Sequence, residues 1–235
     1  MSRSMRVMIL ALLSSAAFLS TTTNLHAAEI LARLAPTRET TEKSQPKNLP
    51  SAVIWLKPAH DDPSRVVVPG RFTLVQKNKT FTPHLLVIPL GSSVAFPNTD
   101  PFFHNVFSLF DGRRFDLGLY EAGSTRSVVF SREGVSYIFC NIHSEMSAVV
   151  ITLSTPFYSI ASKGEFRITG VPEGEYDLHV WIEGQRQNAL DKQNRRIHVG
   201  GESVDLGEIH FDQPEQEPHR NKFDRPYDAD THPIY

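Results

Sequence analysis

Between residues 30 and 211 the chain is built of short runs in which apolar and polar side chains alternate. Glycine, proline and small polar residues separate these runs. Alternation with a period of two is typical of half-buried β-strands, and the separating residues favour turns. Strands are predicted over 30–34, 51–58, 71–76, 85–89, 91–96, 127–130, 136–139, 148–153, 163–168, 197–199 and 206–211. No stretch has the pattern of a long amphipathic helix, so the predicted fold class is all-β.

Composition agrees with that prediction. The 235 residues include 16 prolines and 13 glycines, as expected for many short elements joined by turns. The length allows one large domain or two small ones. A net charge of −2 at pH 7 gives no reason to expect nucleic acid as a partner.

The first 27 residues have the organisation of a signal peptide. Arg3 and Arg6 precede an apolar run at 7–19, and small residues follow at 27–28. The run is short for a membrane span, so we expect cleavage after Ala27. The mature protein should then be periplasmic or otherwise exported, without a membrane span. An uncleaved anchor is the alternative. Loss of the two arginines would change the net charge from −2 to −4.

One cysteine and one methionine stand out in the remaining chain. Cys140 is the only cysteine, and Met146 is the only methionine after residue 8. In an exported protein an odd cysteine indicates an intermolecular bridge, a reactive thiol or a metal ligand. His143 lies between the two sulfur residues, and His104 is the best upstream candidate for a second imidazole. Two histidines, a cysteine and a weak methionine form the ligand set of one type 1 copper ion.

The sequence around these residues resembles the cupredoxins over 71–155. The resemblance rests on Val94, Phe96 and Asn98, the His104-Asn105-Val106 triplet and the loop at 140–146. The spacing within that loop is similar to the short ligand loop of amicyanin. The whole chain is similar to exported proteins labelled plastocyanin-like or methylamine-utilisation-like.

This resemblance implies a role for each candidate ligand. His104, Cys140 and His143 would be equatorial ligands of copper, and Met146 would be the axial ligand. His104 should be the more buried imidazole because Phe102 precedes it nearby, and His143 should be nearer to solvent.

Three further residues are expected to contact the ligands. Asn105 matches the family asparagine that braces the ligand loop, and such contacts tune a metal site. Asn141 replaces the serine or threonine that usually follows the cysteine. Glu145 places a carboxylate in the loop, where it should lower the reduction potential if water does not screen it.

The downstream part resembles the carboxypeptidase regulatory-like β-sandwich, through 163–168 and the turn at 170–176. That fold normally opens with two strands like those at 30–34 and 51–56. The expected organisation is therefore nested: a signal peptide at 1–27, N-terminal strands of the sandwich at 28–70, a copper domain at 71–155, the rest of the sandwich at 156–212 and a polar tail at 213–235.

The favoured function is that of an exported copper protein, not an enzyme, that carries single electrons. Its redox partners would be a dehydrogenase or a c-type cytochrome, which the sequence does not identify. One alternative is a copper-binding or delivery protein. Another is a structural β-sandwich binding module with a vestigial metal site. A multicopper oxidase or nitrite reductase would need extra His-x-His or His-Cys-His pairs, which the sequence lacks.

Overall fold

The structure is a computed structural model that describes residues 27–37, 49–60, 67–109, 112–212, 221–223, 225 and 227. The predicted signal peptide, apart from Ala27, lies outside the described residues, as does most of the predicted tail. Within the described residues, no helix is long and apolar enough to cross a membrane.

The described chain is almost entirely β-structure, as the alternating pattern predicts. The strands are β1 Ala28–Pro36, β2 Ala52–Pro58, β3 Arg71–Thr73, β4 Val75–Lys77, β5 Thr80–Thr82, β6 Leu85–Pro89, β7 Ser93–Pro97, β8 His104–Ser108, β9 Phe115–Tyr120, β10 Thr125–Val129, β11 Gly134–Phe139, β12 Ser147–Leu153, β13 Tyr158–Ile160, β14 Glu165–Val171, β15 Gly174–Ile182, β16 Arg195–Val199 and β17 Val204–Phe211. One short helix, α1 Gln187–Asp191, connects β15 to β16. The all-β prediction is confirmed.

Two sheets combine the first two strands with the last ones. One has the order β14-β1-β17, and the other has the order β13-β2-β15-β16. β2 runs antiparallel to β15, with Ala52 opposite Ile182 and Leu56 opposite Leu178. The strands before residue 59 therefore pair with strands that follow residue 157.

The strands between them form a second pair of sheets. These have the orders β10-β7-β3 and β6-β12-β11-β8-β9, and β4 and β5 make a small hairpin. β11 and β12 are antiparallel neighbours from Gly134 opposite Thr152 to Phe139 opposite Ser147. The loop that joins them contains the Cys140–Met146 segment.

The five-stranded sheet is covered on both faces. Val149 and Ile151 of β12 belong to a hydrophobic cluster shared with β1, β2 and β15. Ala148 and Val150 belong to a second cluster shared with β7, β8 and β10. Because side chains alternate across a strand, β12 packs against both halves of the molecule. The continuous apolar run at 148–153 reflects this two-sided burial.

Candidate metal centre

Three predicted ligand residues meet at one end of the five-stranded sheet. His104 opens β8, and Cys140 directly follows the last residue of β11. Antiparallel pairing of Phe139 with Phe107 fixes these two strands side by side. The Sγ atom of Cys140 lies 3.7 Å from Nδ1 of His104 and 3.5 Å from Nδ1 of His143.

The loop that carries the other candidates is closed by its own backbone. The N–H of Cys140 donates to the carbonyl oxygen of Met146 at 3.1 Å, and the N–H of Met146 donates to that of His143 at 3.1 Å. These bonds direct the loop back into β12. Met146 is fully buried, in the same hydrophobic cluster as Cys140.

The spacing of the three donor atoms fits a bound metal ion. Metal–nitrogen bonds of about 2.0–2.1 Å and a metal–sulfur bond of about 2.3 Å place nitrogen and sulfur about 3.5–3.8 Å apart in trigonal or tetrahedral geometry. The separations of 3.5 and 3.7 Å fall in that range. All three donor atoms lie within 4.8 Å of one another, and no other such group of metal-binding side chains occurs in the described residues.

A carboxylate that the sequence did not reveal orients His104. Asp100 is 5% exposed, and its Oδ2 accepts a hydrogen bond from Nε2 of His104 at 2.8 Å. The backbone N–H groups of Asn78 and Lys79 also donate to this carboxylate, at 2.6 and 2.9 Å. With its proton on Nε2, the imidazole has an unprotonated Nδ1 that faces Cys140.

Both imidazoles are neutral at pH 7. Burial lowers the pKa of His104, and the hydrogen bond to Asp100 only partly opposes that effect. Burial and the neighbouring His104 lower the pKa of His143 to about 4. Burial by itself would raise the pKa of Asp100, but the hydrogen bonds from Lys79, His104 and Asn78 outweigh it and lower that pKa. The site thus combines two neutral imidazoles with one buried carboxylate.

The cysteine thiol is shaped by burial and by backbone donors. Burial raises the pKa of Cys140, while the backbone N–H groups of Asn105, Ile142 and His143 oppose that rise. The same donors would stabilise a thiolate, which is the form that binds metals.

Phe102 shields the two imidazoles. Its ring centroid lies 5.2 Å from that of His104 and 5.7 Å from that of His143. The Nζ atom of Lys79 lies 5.7 Å from the Phe102 centroid, on the face of the ring. His104 is completely buried and His143 is partly exposed. The site is therefore nearest to solvent at His143, as expected from the sequence.

The three residues expected to support the ligands have different environments. The side-chain Nδ2 of Asn105 donates to Asp116 at 2.7 Å, so the amide is directed to β9 rather than to the ligand loop. The Oδ1 of Asn141 accepts a hydrogen bond from the N–H of Lys222 at 3.0 Å. Glu145 is exposed, and its described partner is Ser144 at 3.4 Å. Solvent therefore screens Glu145, and Asp100 is the carboxylate buried beside a candidate ligand.

Other histidines take no part in this group. Nε2 of His84 lies 2.5 Å from Glu183, and Nδ1 of His198 lies 2.8 Å from Glu175. His179 stacks on Trp55 with a centroid separation of 5.3 Å. His219 and His232 lie outside the described residues.

Comparison with known proteins gave structural neighbours only. No family model matches the chain, and no curated protein matches it. A purple cupredoxin from Nitrosopumilus maritimus is 25% identical and covers 34% of this chain and 98% of its own, with a TM-score of 0.32. The Cu-containing nitrite reductase from Thermus scotoductus SA-01 is 21% identical and covers 41% of this chain and 28% of its own, with a TM-score of 0.34. A reduced Cu(I) form of an amicyanin mutant is 18% identical and covers 37% of this chain and 86% of its own, also with a TM-score of 0.34. Because each neighbour overlaps less than half of this chain, the chemistry of the site is inferred from the side chains of this chain alone.

Proposed function

We propose that the protein binds one type 1 copper ion and carries single electrons between redox partners. His104, Cys140 and His143 would be the equatorial ligands, and Met146 would be the axial ligand. The observation that supports this most strongly is the convergence of Sγ and two Nδ1 atoms at 3.5 and 3.7 Å inside a buried site. Two imidazoles, a thiolate and a thioether favour copper over metals that prefer oxygen ligands.

The bound copper would supply the one-electron chemistry, and the residues around it would hold the geometry. Asp100 keeps the proton of His104 on Nε2, so Nδ1 remains available as a ligand atom. Three of the four candidates, His104, Cys140 and Met146, are fully buried, which excludes water from most of the site. Because two β-strands and a closed loop fix them, little rearrangement is needed when the oxidation state changes.

Electrons would enter and leave at His143. It is the one candidate ligand with partial exposure, and Phe103, which directly precedes His104 in the chain, is 39% exposed. Electron exchange falls steeply with distance, so a partner should approach this side. A dehydrogenase or a c-type cytochrome remains the proposed class of partner.

The visible spectrum of the folded protein with Cu(II) tests the proposal. We expect an intense thiolate-to-copper absorption that Cys140→Ser abolishes and that His143→Ala weakens or shifts. His198→Ala, which changes an exposed histidine paired with Glu175, is the matched control and should leave the band unchanged. A colourless protein whose cysteine still titrates as a free thiol after copper addition would refute the proposal. Metal analysis must accompany the spectrum, because zinc accepts the same ligands and gives no visible absorption.

Copper delivery would use the same ligands but requires the metal to exchange. The complete burial of His104, Cys140 and Met146 favours retention over exchange. Slow loss of copper to a chelator, with fast electron self-exchange, would support the electron carrier. Rapid transfer of copper to an acceptor protein would support delivery instead.

We also propose that the protein is exported and that residues 71–155 form a copper domain nested in a second sandwich. Export predicts that the mature protein begins at Ala28, the first residue of β1, which N-terminal sequencing would establish. A mature protein that retains residues 1–27 would favour the membrane anchor.

A further inference from the structure

A short C-terminal segment packs against the ligand loop. The segment consists of residues 221–223, 225 and 227 and is called the strap below. The hydroxyl of Tyr227 donates to the carbonyl oxygen of Cys140 at 2.6 Å. The N–H of Lys222 donates to Oδ1 of Asn141 at 3.0 Å. Two consecutive residues of the ligand loop thus have hydrogen-bond partners in the strap.

The strap also contacts β9, the strand that is paired with the His104-bearing strand β8. Nζ of Lys222 lies 2.8 Å from Oδ2 of Asp116 on β9. Oδ1 of the same carboxylate accepts hydrogen bonds from Nδ2 of Asn105 at 2.7 Å and from the N–H of Gly118 at 2.9 Å. Asn105 directly follows His104. The strap therefore connects the Cys140 side of the site to the His104 side.

The strap has a defined conformation of its own. The N–H of Asn221 donates to the carbonyl oxygen of Arg225 at 2.9 Å. Oδ1 of Asn221 accepts the N–H groups of Phe223 and Arg225 at 2.9 and 3.1 Å. An asparagine that accepts backbone N–H groups just after itself stabilises a compact turn. Lys222, whose N–H donates to Asn141, lies within this turn.

We propose that Lys222 and Tyr227 are positioning residues that hold the metal-binding loop closed against β8. The proposal rests on the metal site proposed above. Cys140 donates its N–H to Met146, and its carbonyl oxygen is bound by Tyr227, so both backbone polar groups of the ligand are fixed. Loss of the strap would leave the loop dependent on its internal bonds. The loop would then open more often, and a bound metal would dissociate faster.

Hydrogen exchange in the metal-free, full-length protein tests whether the strap holds the metal-binding loop closed. Tyr227→Phe removes one hydroxyl and keeps the ring, and should accelerate amide exchange in the 139–147 segment about fivefold, the effect of one ordinary hydrogen bond. Tyr176→Phe is the matched control, because its hydroxyl donates to the carbonyl oxygen of Pro172 at 2.9 Å, away from the site. The control should leave exchange in this segment unchanged. Equal exchange in the wild type and Tyr227→Phe would overturn the proposal.

The rate of metal release tests whether the strap slows dissociation of a bound metal. Lys222→Met removes the ammonium group that pairs with Asp116 and keeps the backbone N–H of residue 222. Combined with Tyr227→Phe, it should accelerate transfer of Cu(II) or Zn(II) to a chelator by about tenfold. Lys192→Met, an exposed lysine at the end of α1, is the control and should have no effect. Unchanged release would overturn the positioning role even if copper binds. A wild type that binds neither metal would refute the metal site, whereas the exchange experiment would still report on the strap.

Discussion

Asp100→Asn is the substitution that most directly probes the buried carboxylate beside His104. Oδ1 of Asp100 accepts the N–H of Asn78, and Oδ2 accepts the N–H of Lys79 and the Nε2–H of His104. An asparagine has one acceptor oxygen and one amino group in these two places. In either orientation the amino group must face a donor, so at least one hydrogen bond is lost.

The consequence for the metal comes from the tautomer of His104. If the new amino group faces Nε2, the imidazole can accept that hydrogen bond only by moving its proton to Nδ1, the atom that faces Cys140. A metal must then displace this proton. Removing such an orienting partner typically weakens metal binding by about 10- to 100-fold. If the loss of affinity were tenfold greater for Cu(II) than for Cu(I), the one-electron reduction potential would rise by about 59 mV.

The assay is a competition titration of Cu(II), Cu(I) and Zn(II) against chelators of known affinity, combined with the reduction potential. Glu145→Gln is the matched control, because it makes the same carboxylate-to-amide change at an exposed position of the ligand loop. We expect little change for the control and weaker binding of all three ions by the Asp100 variant. The reasoning about the tautomer would be refuted if Asp100→Asn bound metal as tightly as the wild type. It would also be refuted if Glu145→Gln had the larger effect.

Acid stability of the metal-free protein provides an independent measurement on Asp100. The pKa of this carboxyl is lowered in the folded chain from its ordinary value of 3.8. Its ionised form therefore stabilises the fold above about pH 3.8, and that contribution is lost as the pH falls through the folded pKa. The free energy of unfolding of Asp100→Asn should lack this acid dependence. An identical acid profile for both proteins would show that the carboxylate is not held as described.

Three other predictions concern stability. The hydrogen bond to Glu183 raises the pKa of His84, so His84→Gln should lower the melting temperature most below about pH 6.5. The difference from wild type should shrink as the pH rises through the folded pKa of His84. A difference that does not depend on pH would contradict this. Ile151→Ala, at a fully buried position of β12, should lower the free energy of unfolding by about 2–5 kcal/mol in chemical denaturation. Val129→Ala, at a position that is 51% exposed, should lower it far less. Similar losses for the two variants would argue against a hydrophobic core around Ile151. Tyr120→Phe removes a buried hydroxyl that donates to Phe96 at 2.9 Å and should cost about 1–2 kcal/mol, and an unchanged denaturation midpoint would argue against this bond.

The sequence was sufficient to predict most of the β-strands and to name the candidate ligands. Strand alternation depends on neighbouring residues, so β2, β6 and β12 are visible in the local pattern. Cys140, His143 and Met146 lie on one loop, where their spacing can be counted directly. His104 lies far upstream, and only the family resemblance selects it from the other histidines.

The sequence did not predict the buried carboxylate. Asp100 lies between Thr99 and Pro101, where an aspartate is usually explained as a turn residue. Its buried position depends on the loop from Asn98 to Phe102, in which Nδ2 of Asn98 donates to the carbonyl oxygen of Phe102 at 2.7 Å. Such a contact is not encoded in a local pattern.

The strap was missed for a different reason. The proline-rich and charged composition of 213–235 predicts a surface tail or disorder. Composition does not show that Tyr227 reaches Cys140 or that Lys222 reaches Asn141, because these contacts join residues more than 80 positions apart. Similarly, the sequence places Glu145 near the metal but does not show that the side chain faces solvent.

The pairing of β1 with β17 has a consequence for the order of folding. The two strands are parallel, with Ile30 beside Val204 and Pro36 beside Phe211. The first strand of the described chain can therefore pair with β17 only after the last strand is available. Contacts between distant parts of a chain form slowly, because closing a long loop costs entropy before the contact stabilises it. The segment from β3 to β12 contains its own partners and can pair before the later strands join it. During that interval the apolar β1 and β2 have no strand partners and are exposed to aggregation or to capture by chaperones. The yield of this protein should therefore depend on translation speed and chaperone supply as well as on the stability of its finished fold.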